Sequence, residues 1–243
     1  MHTQQTIFPT LRRTALTSPF FEIGPKSLLR RHELEALALA AGAAGTEFGV
    51  RVVLTVPTAL IAPISDLNTG VLVFAQGMDP QPMGSSVGRV IAESLVDAGA
   101  TGVMLNHDSN PMDIANLAAA AERARLNGLD TILCASSEAE ALRLTYLDPT
   151  VILFEPPELI GKATTGAREW IVPANNAIRR AAPAVMMMHA GGVASPATAQ
   201  AIMALGADGT GSTSGVLGAE DPLDAARAFI AATRAGWDAA RRP

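Results

Sequence analysis

The sequence predicts a single-domain α/β fold, a (β/α)8 barrel, and three observations carry that prediction. Eight short β-type runs recur along the chain, and stretches rich in Ala, Leu, Glu and Arg with helical spacing lie between most of them. The β-type runs are continuously apolar rather than alternating, which marks strands covered on both faces, as in a parallel sheet. Eight strand–helix repeats in about 220 residues fit a closed barrel. A doubly wound open sheet is the alternative; its nucleotide-binding version is weakened because no G-x-G-x-x-G follows the first strand.

Taken in order, the strands are FFEI at 20–23, RVVLTV at 51–56, VLVFA at 71–75 and GVMLN at 102–106. TILCA at 131–135, TVILFE at 150–155, AVMMMH at 184–189 and DGTGSTS at 208–214 follow. DIANLAAAAERARLNG at 113–128 shows the helical spacing between two of them. Asn110-Pro111, Ser195-Pro196 and Asp221-Pro222 each pair a capping residue with proline, a helix-start signal. The barrel domain is therefore expected over 20–243, with 1–19 as an N-terminal extension. Arg12 and Arg13 occur in that extension without an apolar core, so it does not read as a signal peptide.

Composition narrows the function. A net charge of −5 with 17% charged residues argues against nucleic acid as a partner, since that partner demands clustered cations. One Tyr and two Trp are too few for a base-stacking platform. No apolar run reaches the ~18 residues of a membrane span. A single cysteine, Cys134, excludes an internal disulfide and suits a reducing cytoplasm. His2, His32, His107 and His189 lack metal-ligand spacing, so neither a metal nor another cofactor is expected. Met186-Met187-Met188 and His189 read as barrel packing, with substrate contact left open for His189.

In a barrel, chemistry belongs at the C-terminal ends of the strands. Those ends carry Lys26 after the first strand, His107 after the fourth and Glu155 after the sixth. Gly191-Gly192 follows the seventh strand, and Thr213-Ser214-Gly215 ends the eighth. Each has an ordinary alternative: a solvated lysine, a hydrogen-bonded histidine, a carboxylate in water, tight turns at the glycines. Their joint placement on one rim favours a site. Glycine-rich turns can offer backbone N–H groups to a dianion without side-chain obstruction. Glu155 runs straight into Pro156-Pro157, two rings that fix φ and stiffen the near end of the segment PPELIGKATTG. That segment is expected to close over the carboxylate as a lid. A helix beginning at Asn110-Pro111 would point its positive end at His107 and favour the neutral imidazole.

VILFEPPELIG at 151–161 resembles the catalytic-glutamate and lid segment of the triosephosphate isomerase family, in its short, archaeal-like form. VFAQGMDP at 73–80, GATGVMLNHDSNPM at 99–112, Cys134, and STSGVLGAEDP at 212–222 match in the same order, over roughly 20–235. The resemblance implies an aldose–ketose isomerase of a small sugar phosphate, working through an enediolate. Glu155 would be the base, His107 the electrophile that polarises the carbonyl and Lys26 the positive charge on the substrate. Gly161, Lys162 and Ala163 of the lid would bind phosphate together with Gly191, Gly192, Thr213, Ser214 and Gly215. The family also implies a homodimer or homotetramer, with the loop 77–90 reaching into a partner subunit near Lys26; residues 1–19 could contact a partner too.

The departures are as specific as the matches. Gly24 stands where the family has asparagine, Ser109 where it has glutamate with Asp108 beside it, Ala163 where it has glycine, and Ala194 where it has serine. Glycine at 24 is expected to leave open volume at the reacting end. These changes around a retained base and electrophile imply a larger substrate, with a four-carbon ketose phosphate leading. The competing reading is a non-catalytic sugar-phosphate-binding barrel that has lost part of the isomerase site.

Overall fold

The computed structural model describes residues 16–159 and 168–241. Eight parallel strands close into a barrel in chain order: β1 (Phe20–Ile23), β2 (Arg51–Val56), β3 (Leu72–Ala75), β4 (Gly102–Leu105), β5 (Asp130–Ala135), β6 (Val151–Phe154), β7 (Met186–His189) and β8 (Gly209–Gly211). β8 returns to pair with β1, so no strand is left as an edge. The doubly wound alternative is thereby excluded. Helices α1 (Arg31–Phe48), α2 (Ile61–Ser65), α3 (Ala92–Asp97), α4 (Ile114–Leu126), α5 (Glu138–Leu144), α6 (Ile171–Ala181), α7 (Pro196–Ala204), α8 (Ser214–Leu217) and α9 (Pro222–Ala239) accompany the strands.

Continuous apolar runs become two cores because successive strand side chains point to opposite faces. Phe21, Leu54, Val103, Leu133, Ile152 and Met187 pack outward against the helices. Phe20, Val53, Phe74, Met104, Ile132 and Met188 fill the lumen. Leu16, inside the expected N-terminal extension, is buried in that lumen cluster. Its N–H donates to Asp130 Oδ2 at 3.1 Å, at the N-terminal end of β5. Thr150 Oγ1 donates to the other oxygen of Asp130 at 3.0 Å, so the barrel floor has a satisfied carboxylate.

Two of the three expected helix starts are found. Ser195 accepts from Thr198 N to cap α7, and Asp221 accepts from Leu223 N and Asp224 N to cap α9, each with proline in the first turn. The expectation at Asn110-Pro111 is corrected. α4 begins at Ile114 because Asp113 supplies the cap, its side chain accepting Asn116 N, while residues 107–110 form a tight turn closed by Asn110 N on His107 O at 2.7 Å. Five expected strands, β3, β4, β6, β7 and β8, are also shorter at one or both ends. β4 stops at Leu105 because Asn106 turns left-handed (φ 59°). β8 stops at Gly211 because Ser212 Oγ donates to Val193 O and accepts Gly215 N–H, starting the turn into α8.

Two phenylalanines in the lumen rest on glycines of neighbouring strands. Phe20 is in register with Gly209 and Phe74 with Gly102. A β-carbon at Gly102 would lie 2.3–2.6 Å from the Phe74 ring, and one at Gly209 2.3–2.5 Å from the Phe20 ring. Gly102→Ala should therefore overpack the lumen and cost about 2 kcal/mol, lowering Tm by roughly 4–8 °C. Phe74→Leu in the same chain should recover part of that loss. Thermal and urea unfolding of the single and double variants measure it; additive losses would show that the two side chains do not compete for one space.

Candidate active site

The C-terminal ends of the strands surround a cavity of about 410 Å³. Lys26, His107 and Glu155 all line it, from the loops after β1, β4 and β6. Three side chains distant in sequence are thus brought together by barrel closure. Gly191, Gly192, Thr213 and Ser214 line the same cavity from the loops after β7 and β8.

Each side chain is held by its own local structure. Lys26 is left-handed (φ 51°), and its carbonyl accepts Gln76 Nε2 at 2.7 Å. Gln76 Nε2 also donates to Thr55 O at 3.2 Å, tying the loop after β1 to the ends of β2 and β3. Asn106 braces the next loop: its Nδ2 donates to Cys134 O at 3.0 Å, and its Oδ1 accepts Met112 N at 3.0 Å.

The His107 ring is oriented from behind. Its Nδ1 accepts the backbone N–H of Ser109 at 3.1 Å and lies 2.8 Å from Ser109 Oγ. A backbone N–H can only donate, so in the neutral ring the proton sits on Nε2. Burial lowers the pKa of His107 from 6.5, and the positive charge of Lys26 lowers it further, against Asp108. Desolvation and Lys26 therefore account for the neutral imidazole that the sequence attributed to a helix starting at Asn110. Ser109 has become a partner of the ring.

Glu155 leaves the barrel directly after β6, its N–H bonded to Ala135 O at 3.0 Å. Burial raises its pKa from 4.5; Lys26 and Arg168 oppose that rise and Asp108 adds to it. Pro156 begins the stiff corner, Leu159 N closes on Pro156 O at 2.9 Å, and a 3-10 turn runs over Pro157–Leu159. Gly191 is left-handed (φ 81°), and a β-carbon there would sit 3.1 Å from both Glu155 Cγ and Leu159 Cβ. The glycine thus lets the loop after β7 approach the carboxylate side chain closely. The lid residues Gly161, Lys162 and Ala163 lie outside the described residues.

Not every expected residue reaches the cavity. Gly215 sits behind the rim, where its N–H is donated to Ser212 Oγ at 3.0 Å. Its lack of a side chain serves packing, since a β-carbon would come 2.6 Å from Val193 O and 2.7 Å from the Phe229 ring. Thr213 Oγ1 donates to Gly24 O at 2.7 Å, linking the loops of β8 and β1. His189 is buried on the outer face of β7, with Nε2 2.7 Å from Asn175 Oδ1 on α6, so it is a core residue that does not line the cavity. Burial lowers its pKa to about 3, and the ring is neutral. Burial pushes the Cys134 thiol up, leaving a packed thiol in the lumen.

Two residues of this region were not singled out from the sequence. Arg168 is buried and donates from Nη2 to Gly191 O at 2.8 Å, beyond the far end of the lid segment. Nothing in its local sequence distinguishes it from a solvated arginine. Glu22 is different, because a carboxylate in the otherwise apolar FFEI was a visible signal. It is 6% exposed and lines the cavity from the middle of β1. Burial raises its pKa to about 7, with Glu155 adding to the rise and Thr55 and Lys26 opposing it. Its presence corrects the expectation of empty volume at Gly24: a β-carbon there would meet Glu22 Oε1 at 2.9 Å.

The triosephosphate isomerase family model matches residues 28–230. Among characterised relatives, the triosephosphate isomerase of Cenarchaeum symbiosum is 33% identical over 79% of this chain and 86% of its own length. That of Sulfolobus acidocaldarius is 32% identical over 76% of this chain and 80% of its own. The crystal structure of triosephosphate isomerase from Bartonella henselae superposes with a TM-score of 0.69, covering 87% of this chain and 99% of that one at 18% identity, which bears on the fold alone. The family match and the extent of these identities identify the chain as a member of the triosephosphate isomerase family, enzymes that interconvert an aldose and a ketose.

Proposed function

We propose that the chain isomerises a small sugar phosphate through an enediolate, with Glu155 as base, His107 as electrophile and Lys26 as the cation that draws in and polarises the substrate. The observation that carries this reading is the meeting of these three side chains in one cavity, with His107 held as the Nε2–H tautomer by Ser109. Glu155 takes the proton from the carbon beside the carbonyl. Nε2–H of His107 donates to the carbonyl oxygen as negative charge develops there, and Lys26 stabilises the same charge. Glu155 then returns its proton to the neighbouring carbon, while His107 gives its Nε2 proton to the former carbonyl oxygen and takes one from the adjacent hydroxyl oxygen, so that both side chains are restored.

Phosphate is proposed to sit against Gly191, Gly192, Thr213 and Ser214, which line the same cavity as the base. Gly161, Lys162 and Ala163 would complete that site from the lid. A four-carbon ketose phosphate is the proposed substrate, in carbohydrate catabolism in the cytoplasm. A homodimer or homotetramer is proposed as well. The loop 77–90 supports it: Asp79 accepts from Val90 N at 2.8 Å and pairs with Arg89 at 3.2 Å, closing the loop base, while Met83 and Val87 stand exposed at its tip. Among the described residues no helix is long and apolar enough to cross a membrane.

Glu155→Gln should keep the fold and lower turnover at least a thousandfold, a loss of about 4 kcal/mol in transition-state stabilisation. Solvent-deuterium exchange into a panel of triose and tetrose phosphates measures it directly. Exchange by the wild type that persists in the variant would remove Glu155 as base; no exchange by the wild type would leave the non-catalytic sugar-phosphate binder.

The pH dependence follows from the same carboxylate. The base works only when ionised, so kcat falls as pH drops through the pKa of Glu155 in the complex. Because burial raises that pKa, the acid limb should lie above 4.5. His107, lowered from 6.5, stays neutral at pH 7 and adds no loss there. Saturating-substrate kcat between pH 4 and 9 checks this; a limb at or below 4.5 would contradict the burial argument.

A further inference from the structure

Glu22 is a buried carboxyl of the cavity that the isomerisation chemistry leaves unused. It shares the lumen-facing side of β1 with Phe20, two residues away, which packs in the apolar lumen cluster. No hydrogen bond of good geometry reaches its Oε1 among the described residues; the Thr55 hydroxyl on β2, close enough to oppose the rise in its pKa, lies beside it and makes none either. A buried polar atom without a partner is costly, and an apolar side chain of similar size would avoid the cost. The surroundings are nevertheless cut to fit the carboxyl. Gly24 and Gly211 flank it, and a β-carbon at either would come within 2.9 Å of Oε1 or 2.8 Å of Oε2 respectively.

A group held in a fitted slot with an unfilled bonding position can receive its partner from the ligand. That partner's chemistry is restricted by its neighbours. The phosphate dianion is already assigned, in the reading above, to the backbone of the glycine loops after β7 and to Ser214. The carbonyl, the adjacent C–H and the adjacent hydroxyl are already served by His107, Lys26 and Glu155. What remains for Oε1 is a neutral donor on another carbon. A carboxyl held neutral up to about pH 7 can accept from one hydroxyl and still donate its own proton, to the Thr55 hydroxyl or to the ligand.

We propose that Glu22 is a specificity-determining residue, its carboxyl hydrogen-bonding a hydroxyl that a three-carbon phosphate lacks, so that the cavity selects a ketose phosphate with one further hydroxylated carbon. This rests on the isomerase reading above. A site built to bond a hydroxyl discriminates strongly against the analogue without it, because the buried group is then left unpaired. Glu22 thus selects in two ways, by bonding the longer ketose and by penalising the shorter one.

The test is the ratio of kcat/KM for four-carbon ketose phosphates, in both configurations and with phosphate on either end, to kcat/KM for dihydroxyacetone phosphate. Wild type, Glu22→Val, Glu22→Gln and Gly24→Ala are compared, with thermal melts and competitive inhibition by inorganic phosphate confirming that each variant is folded. The wild-type ratio should exceed one for at least one tetrulose phosphate. Glu22→Val should lower that ratio at least tenfold, Glu22→Gln less, because the amide keeps a donor and an acceptor. Gly24→Ala, which crowds Oε1 without removing it, should move the ratio the same way. A loss of fold in Glu22→Val leaves the decision to the other two variants. Ratios within threefold of wild type in every folded variant, or a wild type that prefers the triose phosphate, would overturn the proposal while leaving the isomerase reading intact. Absence of deuterium exchange into every ketose phosphate by the wild type would instead overturn the isomerase reading, and this proposal with it.

Discussion

The pairing of β8 with β1 is the constraint on which the rest of the molecule depends. Phe20 and Gly209 set the register of that seam, because the ring occupies the space a β-carbon would need. Once closed, the seam extends beyond the strands: Ser212 N donates to Glu22 O at 3.1 Å, and Thr213 Oγ1 donates to Gly24 O at 2.7 Å. The loop carrying Lys26 and the loop carrying Ser214 are therefore fixed to each other by the bonds that close the sheet. An open sheet would leave these two loops, from opposite ends of the strand order, on opposite edges.

Electrostatics in the cavity follow from how far each group is withdrawn from water. Glu22 and Glu155 share a lumen lined by Met104, Leu153 and Met188, and burial raises both carboxyls. Lys26 opposes the rise in both and lowers the pKa of His107 as well. One cation thereby helps keep the candidate base ionised and the imidazole neutral, a combination that acid–base work near neutrality requires. Glu22, more deeply buried, is raised to about 7.

The barrel was legible because its strands are covered on both faces, so their apolar runs stand out without any knowledge of partners. Strand-end residues could then be read as a rim, and Lys26, His107 and Glu155 do share a cavity. What was illegible depends on contacts distant in sequence. Arg168 acquires its place through contacts distant in sequence, among them the carbonyls of Gly191 and Ala190. Asn110 looked like a cap because it precedes proline, yet it belongs to the tight turn closed on His107 O, and Asp113 caps α4 at Ile114 instead. Gly215 looked like a phosphate-binding glycine, but packing under Val193 and Phe229 accounts for it. Glycine is ambiguous in sequence because turn, close approach and open amide all require the same missing side chain.

Position 24 cannot be understood without position 22. From sequence, glycine at 24 implied space at the reacting end; in the fold, that space is filled by a carboxyl arriving from two residues earlier on the same lumen face. Gly211, across the seam on β8, gives way to the same carboxyl. Glu22 on β1, Gly24 just after it and Gly211 on β8 thus form one unit, in which two absent side chains accommodate one unusual one. The unit costs stability, since a buried carboxyl raised to about 7 is disfavoured in its charged form by about 3 kcal/mol relative to water. Because the folded state holds that proton longer than the unfolded chain does, the cost is absent below pH 4.5 and fully present above about pH 7. A barrel core has no packing reason to carry such a group, which is why its reason is sought in what the cavity binds.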